Sequence, residues 1–213
     1  MIIYCCADKK YFDLYFDLWA SLWSKFYPTY KKVIAVYKPD DAVRKKCEMY
    51  NIELRDAKLV DNPKREHFYL MRWLNLPYDK NEKILQTQIN CLPIRTPYNF
   101  EKLLKKETPH IRIQRNKGPK RKGGLSLGIF NVEAAKQVVN KAKEMLDSPV
   151  TGDHTINKWQ GKNIKYETIE LEIQVKNKSR KIEKGIYFIT ATTANLATHE
   201  KKLDLLNHYI RMK

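Results

Sequence analysis

The segment KILQTQINCLPI, residues 83–94, is apolar enough at its centre for a buried strand, yet Gln86, Gln88 and Asn90 alternate along one face of it. Amides taken out of water need hydrogen-bond partners, so these residues must meet polar protein groups or a ligand. A second chemically loaded segment is PHIRIQRNKGPKRKGG, residues 109–124, where Arg112, Arg115, Lys117, Lys120, Arg121 and Lys122 stand with no acid among them. Gly118 and Pro119 interrupt regular structure there, and the run reads as a mobile loop able to close on a phosphate-bearing ligand, with a merely solvated loop as the alternative. The four cysteines, Cys5, Cys6, Cys47 and Cys91, contain no CxxC pair. That spacing argues against a zinc module or a disulfide scaffold and suits a reducing compartment. There is no Walker or GxGxxG phosphate loop and no internal repeat.

The elements that must position these residues follow from hydrophobic periodicity. IIYCCA is an apolar run of strand length, and Phe12, Tyr15, Phe16, Trp19, Leu22, Trp23 and Phe26 then recur at steps of three and four, which predicts an amphipathic helix stopped by Pro28. KKVIAVY (31–37) predicts a second strand, Asp40 caps a helix over 41–50, and Asn51 suits a left-handed exit into IEL. A further helix is expected over 65–76 and a strand over 123–132, after which Asn131 caps a helix with Ala134, Ala135, Val138, Val139, Ala142, Met145 and Leu146 on one face. IKYETIELEIQV (164–175) and KIEKGIYFIT (181–190) alternate with period two around NKSR, which predicts an antiparallel hairpin. A last helix carries Leu203, Leu206, Tyr209 and Ile210 on one side. The β-α-β opening and the antiparallel close together predict one mixed α/β sheet.

Composition sets the outer bounds. The chain has 213 residues, 43% hydrophobic and 31% charged, with 13 Tyr, 7 Phe and 4 Trp available for a core, so disorder as the main state is excluded. Its 41 Lys and Arg against 24 Asp and Glu give a formal charge of +17, which attracts polyanions and phosphorylated small molecules. Lysine outnumbers arginine 31 to 10, a bias that coding composition also produces, so the local run at 109–124 carries more information than the total. The longest uncharged stretch, Gly185 to His199, is shorter than the roughly 20 apolar residues that span a bilayer. MIIYCCADKKYF lacks the basic leader and cleavage site of a signal peptide, and the expected location is the cytoplasm.

In the order of its elements and in several short motifs the chain resembles the GT-A class of nucleotide-sugar glycosyltransferases. CCADKKYF is similar to the strand-ending turn that holds the nucleotide in such enzymes. The resemblance implies that Ala7 and Asp8 approach the nucleotide, that Asp8 accepts from base or ribose and that Tyr11 stacks; a helix cap and a core tyrosine are the plain alternatives. ILQTQINCLP resembles the strand that ends in an Asp-x-Asp motif, but Gln88 and Asn90 replace both acids. Hard cations prefer carboxylate oxygens, so the resemblance here implies a leaving group stabilised by Lys and Arg with no metal, or a lost transfer activity. Arg65, Arg72 and the 112–122 loop are the available cations, although an Arg on an amphipathic helix is ordinarily its solvated edge. GGLSLGIFNVEAAKQVV is similar to the strand and helix beside donor sugar and acceptor, where Gly124 lets backbone approach closely. TGDHTINKW resembles the segment that presents an acid to the sugar or acceptor, which makes Asp153 or His154 the expected general base, a capping turn being the alternative. ATHEKK loosely resembles a diphosphate-closing segment, with an exposed helical position the plainer reading of His199.

Taken together, the resemblance implies one GT-A-like domain over 1–213, with 1–100 the nucleotide-binding half and 101–213 the acceptor-side half. It would carry a mixed, mainly parallel central sheet flanked by helices and a C-terminal antiparallel hairpin. The implied activity is transfer of a sugar from a nucleotide-sugar donor to a hydroxyl acceptor, without a cofactor. The charge makes a modified base in DNA, as treated by some viral enzymes, the sharpest acceptor, which would put the protein in a host cytoplasm. The alternative is a catalytically inactive GT-A-like protein that binds nucleotide or nucleic acid.

Overall fold

The computed structural model describes residues 1–93, 99–100, 103, 107–115, 127–147, 153–171, 173–175 and 188–190. Strand β1 (Ile2–Ala7) enters α1 (Lys9–Phe26), and β2 (Lys31–Val36), α2 (Asp41–Met49) and β3 (Glu53–Asp56) follow. Helix α3 (Arg65–Leu74) and a 3₁₀ turn at Tyr78–Lys80 lead to β4 (Ile84–Thr87) and the short β5 (Cys91–Pro93). Beyond these come β6 (His110–Arg115), β7 (Leu127–Phe130), α4 (Val132–Glu144), α5 (Asp153–Asn163), β8 (Tyr166–Leu171), β9 (Ile173–Val175) and β10 (Phe188–Thr190). Seven strands form the central sheet in the order β3-β2-β1-β4-β7-β6-β8, and β5-β10-β9 form a smaller one. Within the central sheet only β7 runs against its neighbours, so the sheet is mixed and mainly parallel.

The apolar run of β1 is what a strand covered on both faces requires. Ile3, Cys5 and Ala7 pack into a cluster with Phe12, Tyr15, Phe16, Trp19 and Trp23 of α1 and with Val43 and Cys47 of α2. Ile2 and Tyr4 face the other way, against Leu70, Met71 and Trp73 of α3, Ala135, Val138 and Val139 of α4, and Ile156 of α5. Each large side chain fully buried in this way contributes about 1.5–3 kcal/mol, and Trp19, Trp23, Tyr15, Phe12 and Phe16 put five of them on α1 alone. The caps read from sequence are present: Asp40 accepts from the Val43 amide, Asn131 accepts from the Ala134 amide, and Asn51 sits at φ 52°.

Three expectations change. The segment 83–94 is two strands in two different sheets, broken by a turn at Gln88–Asn90. Residues 110–115 are a strand inside the central sheet where a loop was expected; Ile111 and Ile113 are buried, and the alternation of Ile and Arg in HIRIQR is the period-two signature that its charge concealed. The hairpin expected between 164–175 and 181–190 is replaced by two parallel pairings, β8 with β6 and β9 with β10. The antiparallel character of the second half lies in β7, paired with β4 on one side and β6 on the other. The helix expected over 203–210 and His199 lie outside the described residues.

Candidate functional site

In an open, mainly parallel sheet ligands bind outside the carboxyl ends of the strands, at the point where the strand order reverses. Here that point lies between β1 and β4. From β1 the chain passes through α1 on one face to β2, and it returns to β4 by way of α3 on the other face. A cleft of about 280 Å³ opens there, lined by Cys6, Ala7, Asp8 and Tyr11 from the β1–α1 junction, Phe68, Tyr69, Met71 and Arg72 from α3, and Thr87, Gln88, Ile89 and Asn90 after β4.

Six residues singled out from sequence therefore share one cleft: Ala7, Asp8, Tyr11, Arg72, Gln88 and Asn90. Asp8 also serves as the N-cap of α1, its Oδ1 accepting from the Tyr11 amide at 2.8 Å. Capping one helical amide leaves the carboxylate with capacity to accept further hydrogen bonds. Tyr11 is 37% exposed and so is no core residue; its ring lies parallel to that of Tyr15, centroids 6.3 Å apart. Partial burial raises the Tyr11 phenol above its ordinary value, with the neighbouring Asp8 and Tyr69 adding to the shift. Arg72 holds its guanidinium carbon 4.6 Å from the centre of the Trp73 ring, and its backbone carbonyl accepts from the Tyr4 hydroxyl at 3.2 Å. Burial pushes the Cys6 thiol up to about 12, against the lowering effects of the Tyr4 hydrogen bond and the Arg72 charge, so it stays protonated near neutral pH.

The turn that presents Gln88 and Asn90 is tightly held. The Thr87 hydroxyl donates to the Gln88 carbonyl at 2.7 Å, the Cys91 amide donates to the same carbonyl at 2.9 Å, and the Trp23 indole N–H donates to the Cys91 carbonyl at 3.1 Å. Gln86, one step back along the strand, is buried and donates to the Thr87 carbonyl at 2.9 Å, so it finds its partner within the protein.

Among the described residues, a divalent cation in this cleft would meet the amide oxygens of Gln88 and Asn90 and one carboxylate, Asp8, already engaged as a helix cap. Mg and Mn ask for several hard, mostly anionic oxygens, and this donor set does not fit them. Among the described residues no group of three or more His, Cys, Asp or Glu is placed to hold a metal ion.

The other residues expected at the site divide into two groups. Arg65 opens α3, Arg112 and Arg115 lie on β6, and Asp153 and His154 begin α5, which packs against α3 and α4. Gly124, Lys117, Lys120, Arg121 and Lys122 lie outside the described residues. Sequence reasoning missed Phe68 and Tyr69, although the signal was present: they precede Arg72 by four and three positions, the helical spacing that shares one face. No helix among the described residues is long and apolar enough to cross a membrane.

No family model matches the chain, and no curated protein matches it. Solved structures do. A glycosyltransferase involved in the glycosylation of the major capsid of PBCV-1 aligns over 96% of this chain and 100% of its own at 7% identity, with a TM-score of 0.58. The glycosyltransferase GlyE of Streptococcus pneumoniae aligns over 79% of this chain at 12% identity and a TM-score of 0.53, and this chain spans only 44% of its length. The 4-diphosphocytidyl-2C-methyl-D-erythritol synthase of Anaerococcus prevotii aligns over 97% of both chains at 12% identity and a TM-score of 0.52. The likeness defines the fold as GT-A-like. Because two of these proteins are glycosyltransferases and one is a synthase, the reaction has to be argued from the site itself.

Proposed function

We propose that the protein is a glycosyltransferase that takes its sugar from a nucleotide-sugar donor bound in the β1/β4 cleft. The observation that supports this reading is the convergence of Ala7, Asp8, Tyr11, Arg72, Gln88 and Asn90, drawn from three separate stretches of sequence, on that cleft. In this reading Tyr11 offers a ring face to the base, Asp8 accepts from base or ribose, and Gln88 and Asn90 donate amide hydrogens to the phosphates. As the bond from the anomeric carbon to the diphosphate breaks, its electron pair passes to phosphate oxygens. Arg72, with cations of the 112–122 segment, stabilises that charge where a metal would otherwise act. The acceptor hydroxyl forms the new bond to the anomeric carbon and gives its proton to a base, for which Asp153 and His154 are the proposed residues. A modified base in DNA is the proposed acceptor, on the strength of the basic segment.

Thermal-shift screening against sugar nucleotides is the first test, since a ligand at 100 times its dissociation constant stabilises the fold by about 2.7 kcal/mol. Turnover of the bound donor is expected to persist in EDTA; complete loss on chelation, with recovery on adding Mn or Mg, would reject the metal-free mechanism. Binding without turnover would instead favour an inactive nucleotide-binding protein, a reading that the Gln88 and Asn90 amides already motivate.

A further inference from the structure

A larger groove, about 770 Å³, opens at the amino-terminal edge of β2 and β3, where α1 and α2 end. The cleft lies at the carboxyl edge, so six-residue strands at about 3.3 Å per residue set the two openings roughly 20 Å apart. The groove's lining includes Ser24, Thr29, Tyr30, Glu48, Tyr50 and Asn51 together with Lys31, Lys32 and Glu53.

Its charges cancel, two lysines against two glutamates, and most are already engaged. Lys31 pairs with Glu82 at 2.5 Å, and Lys32 donates to the Tyr27 and Pro28 carbonyls at the end of α1, at 2.8 and 3.3 Å. Glu53 is held by Arg55 at 3.0 Å and Lys80 at 3.1 Å. A phosphate or a nucleic-acid backbone would find no unengaged cation among these lysines. What the groove does offer is hydroxyls from Ser24 and Thr29, the Asn51 amide, the Glu48 carboxylate, and two tyrosines that are only partly buried. Both rings are braced: Tyr30 stacks on Tyr27 with centroids 5.6 Å apart, and Tyr50 meets Phe16 edge-on at 5.5 Å. Aromatic surface fixed beside a mixed set of donors and acceptors, with no net charge, complements a ligand that carries C–H faces and many neutral hydroxyls.

We infer that this groove is a second binding site, distinct from the β1/β4 cleft, for an uncharged oligosaccharide. A glycan held there would stay attached to the protein whether or not the cleft is filled, and the inference does not depend on the transferase reading.

The test is binding of the full chain to an array of neutral and acidic glycans with no nucleotide present. Ser24→Trp, which fills the groove from the surface of α1, is the principal variant, and Tyr30→Ala is the second; each is first shown to keep the wild-type melting temperature within a few degrees. The expected result is binding to neutral glycans that falls at least tenfold in Ser24→Trp and in Tyr30→Ala, with sugar-nucleotide binding at the cleft unaltered. Absence of glycan binding, binding confined to acidic glycans, or binding that survives both substitutions would each overturn the inference. Loss of sugar-nucleotide binding in the wild type would count against the proposed function alone.

Discussion

At the scale of single residues, a chosen substitution separates the observed capping role of Asp8 from its proposed role in nucleotide binding. Asn caps helices about as well as Asp, so Asp8→Asn keeps the bond to the Tyr11 amide while removing the charge. We expect Asp8→Asn to leave the melting temperature nearly unchanged and to weaken nucleotide binding by about 1–3 kcal/mol through a lost charge-assisted hydrogen bond. Asp8→Ala should show that loss together with a stability cost of about 1 kcal/mol from the missing cap. Calorimetric titration of both variants checks this; equal nucleotide affinity in wild type and Asp8→Asn would reduce Asp8 to a cap. Gln88 and Asn90 follow a different logic, because their turn is fixed by Thr87, Cys91 and Trp23 through backbone carbonyls and so tolerates a change in the two side chains.

At the scale of elements, α5 carries an unusual feature. Gln160 is fully buried, and among the described residues neither its Oε1 nor its Nε2 has a hydrogen-bond partner. It sits one turn after Ile156 and one turn before Ile164, both in the core against α3 and α4. An unsatisfied buried amide costs about 1–3 kcal/mol, so Gln160→Leu, close in volume, should stabilise the protein by about 1 kcal/mol or more. Chemical denaturation measures this directly, and a destabilised Gln160→Leu would mean that the amide has partners in solution.

An ion cluster ties the 3₁₀ turn to β3. Arg55 grips Asp79 through two bonds of 2.7 and 2.9 Å and also reaches Glu53. The hydrogen bond from Arg55 holds the Asp79 carboxyl below its ordinary value of 3.8. A carboxyl lowered on folding contributes stability above its unfolded-state value, and that contribution disappears as pH falls through the folded-state value. Stability should therefore decline on acidification below about pH 4, where an unpaired Asp titrates. Arg55→Gln should flatten that decline, and identical pH profiles for the two proteins would show the pair to be inert, as exposed pairs often are.

At the scale of the whole molecule, the charge is unevenly distributed along the chain. Residues 1–93, which contain the described lining residues of the cleft, hold 16 Lys and Arg against 12 Asp and Glu, leaving 25 against 12 for residues 94–213. Most of the positive excess therefore belongs to residues 94–213 and to any partner they engage. If Arg112, Arg115, Lys117, Lys120, Arg121 and Lys122 contact a DNA backbone, affinity should fall with salt at a log-log slope of about −0.9 per contact. Neutralising three of the six should flatten the slope by roughly the contacts removed and spare sugar-nucleotide affinity. An unaltered slope would remove the support for a DNA acceptor.

Much of the first half could be read from sequence because its signals are local. The buried run of β1, the three- and four-residue steps of α1, and the caps at Asp40 and Asn131 each depend on a few neighbouring residues, and tertiary packing reinforced them. Strand partnership is different, since period-two alternation names a strand without naming its neighbour. Thus the alternating runs that hold β8, β9 and β10 predict strands, while the parallel pairing of β8 with β6 and of β10 with β9 was decided by the sheet as a whole. HIRIQR was hidden for a related reason: its charges point to solvent chemistry, and only the sheet shows that its two isoleucines are core. The site divides along the same line. Asp8, Tyr11, Arg72, Gln88 and Asn90, separated by up to 82 positions, are singled out from local motifs and the family those motifs resemble. Their assembly in one cleft, and the addition of Phe68 and Tyr69, belong to tertiary structure, because a crevice exists only once β4 has inserted beside β1 and α1 and α3 have taken opposite faces of the sheet.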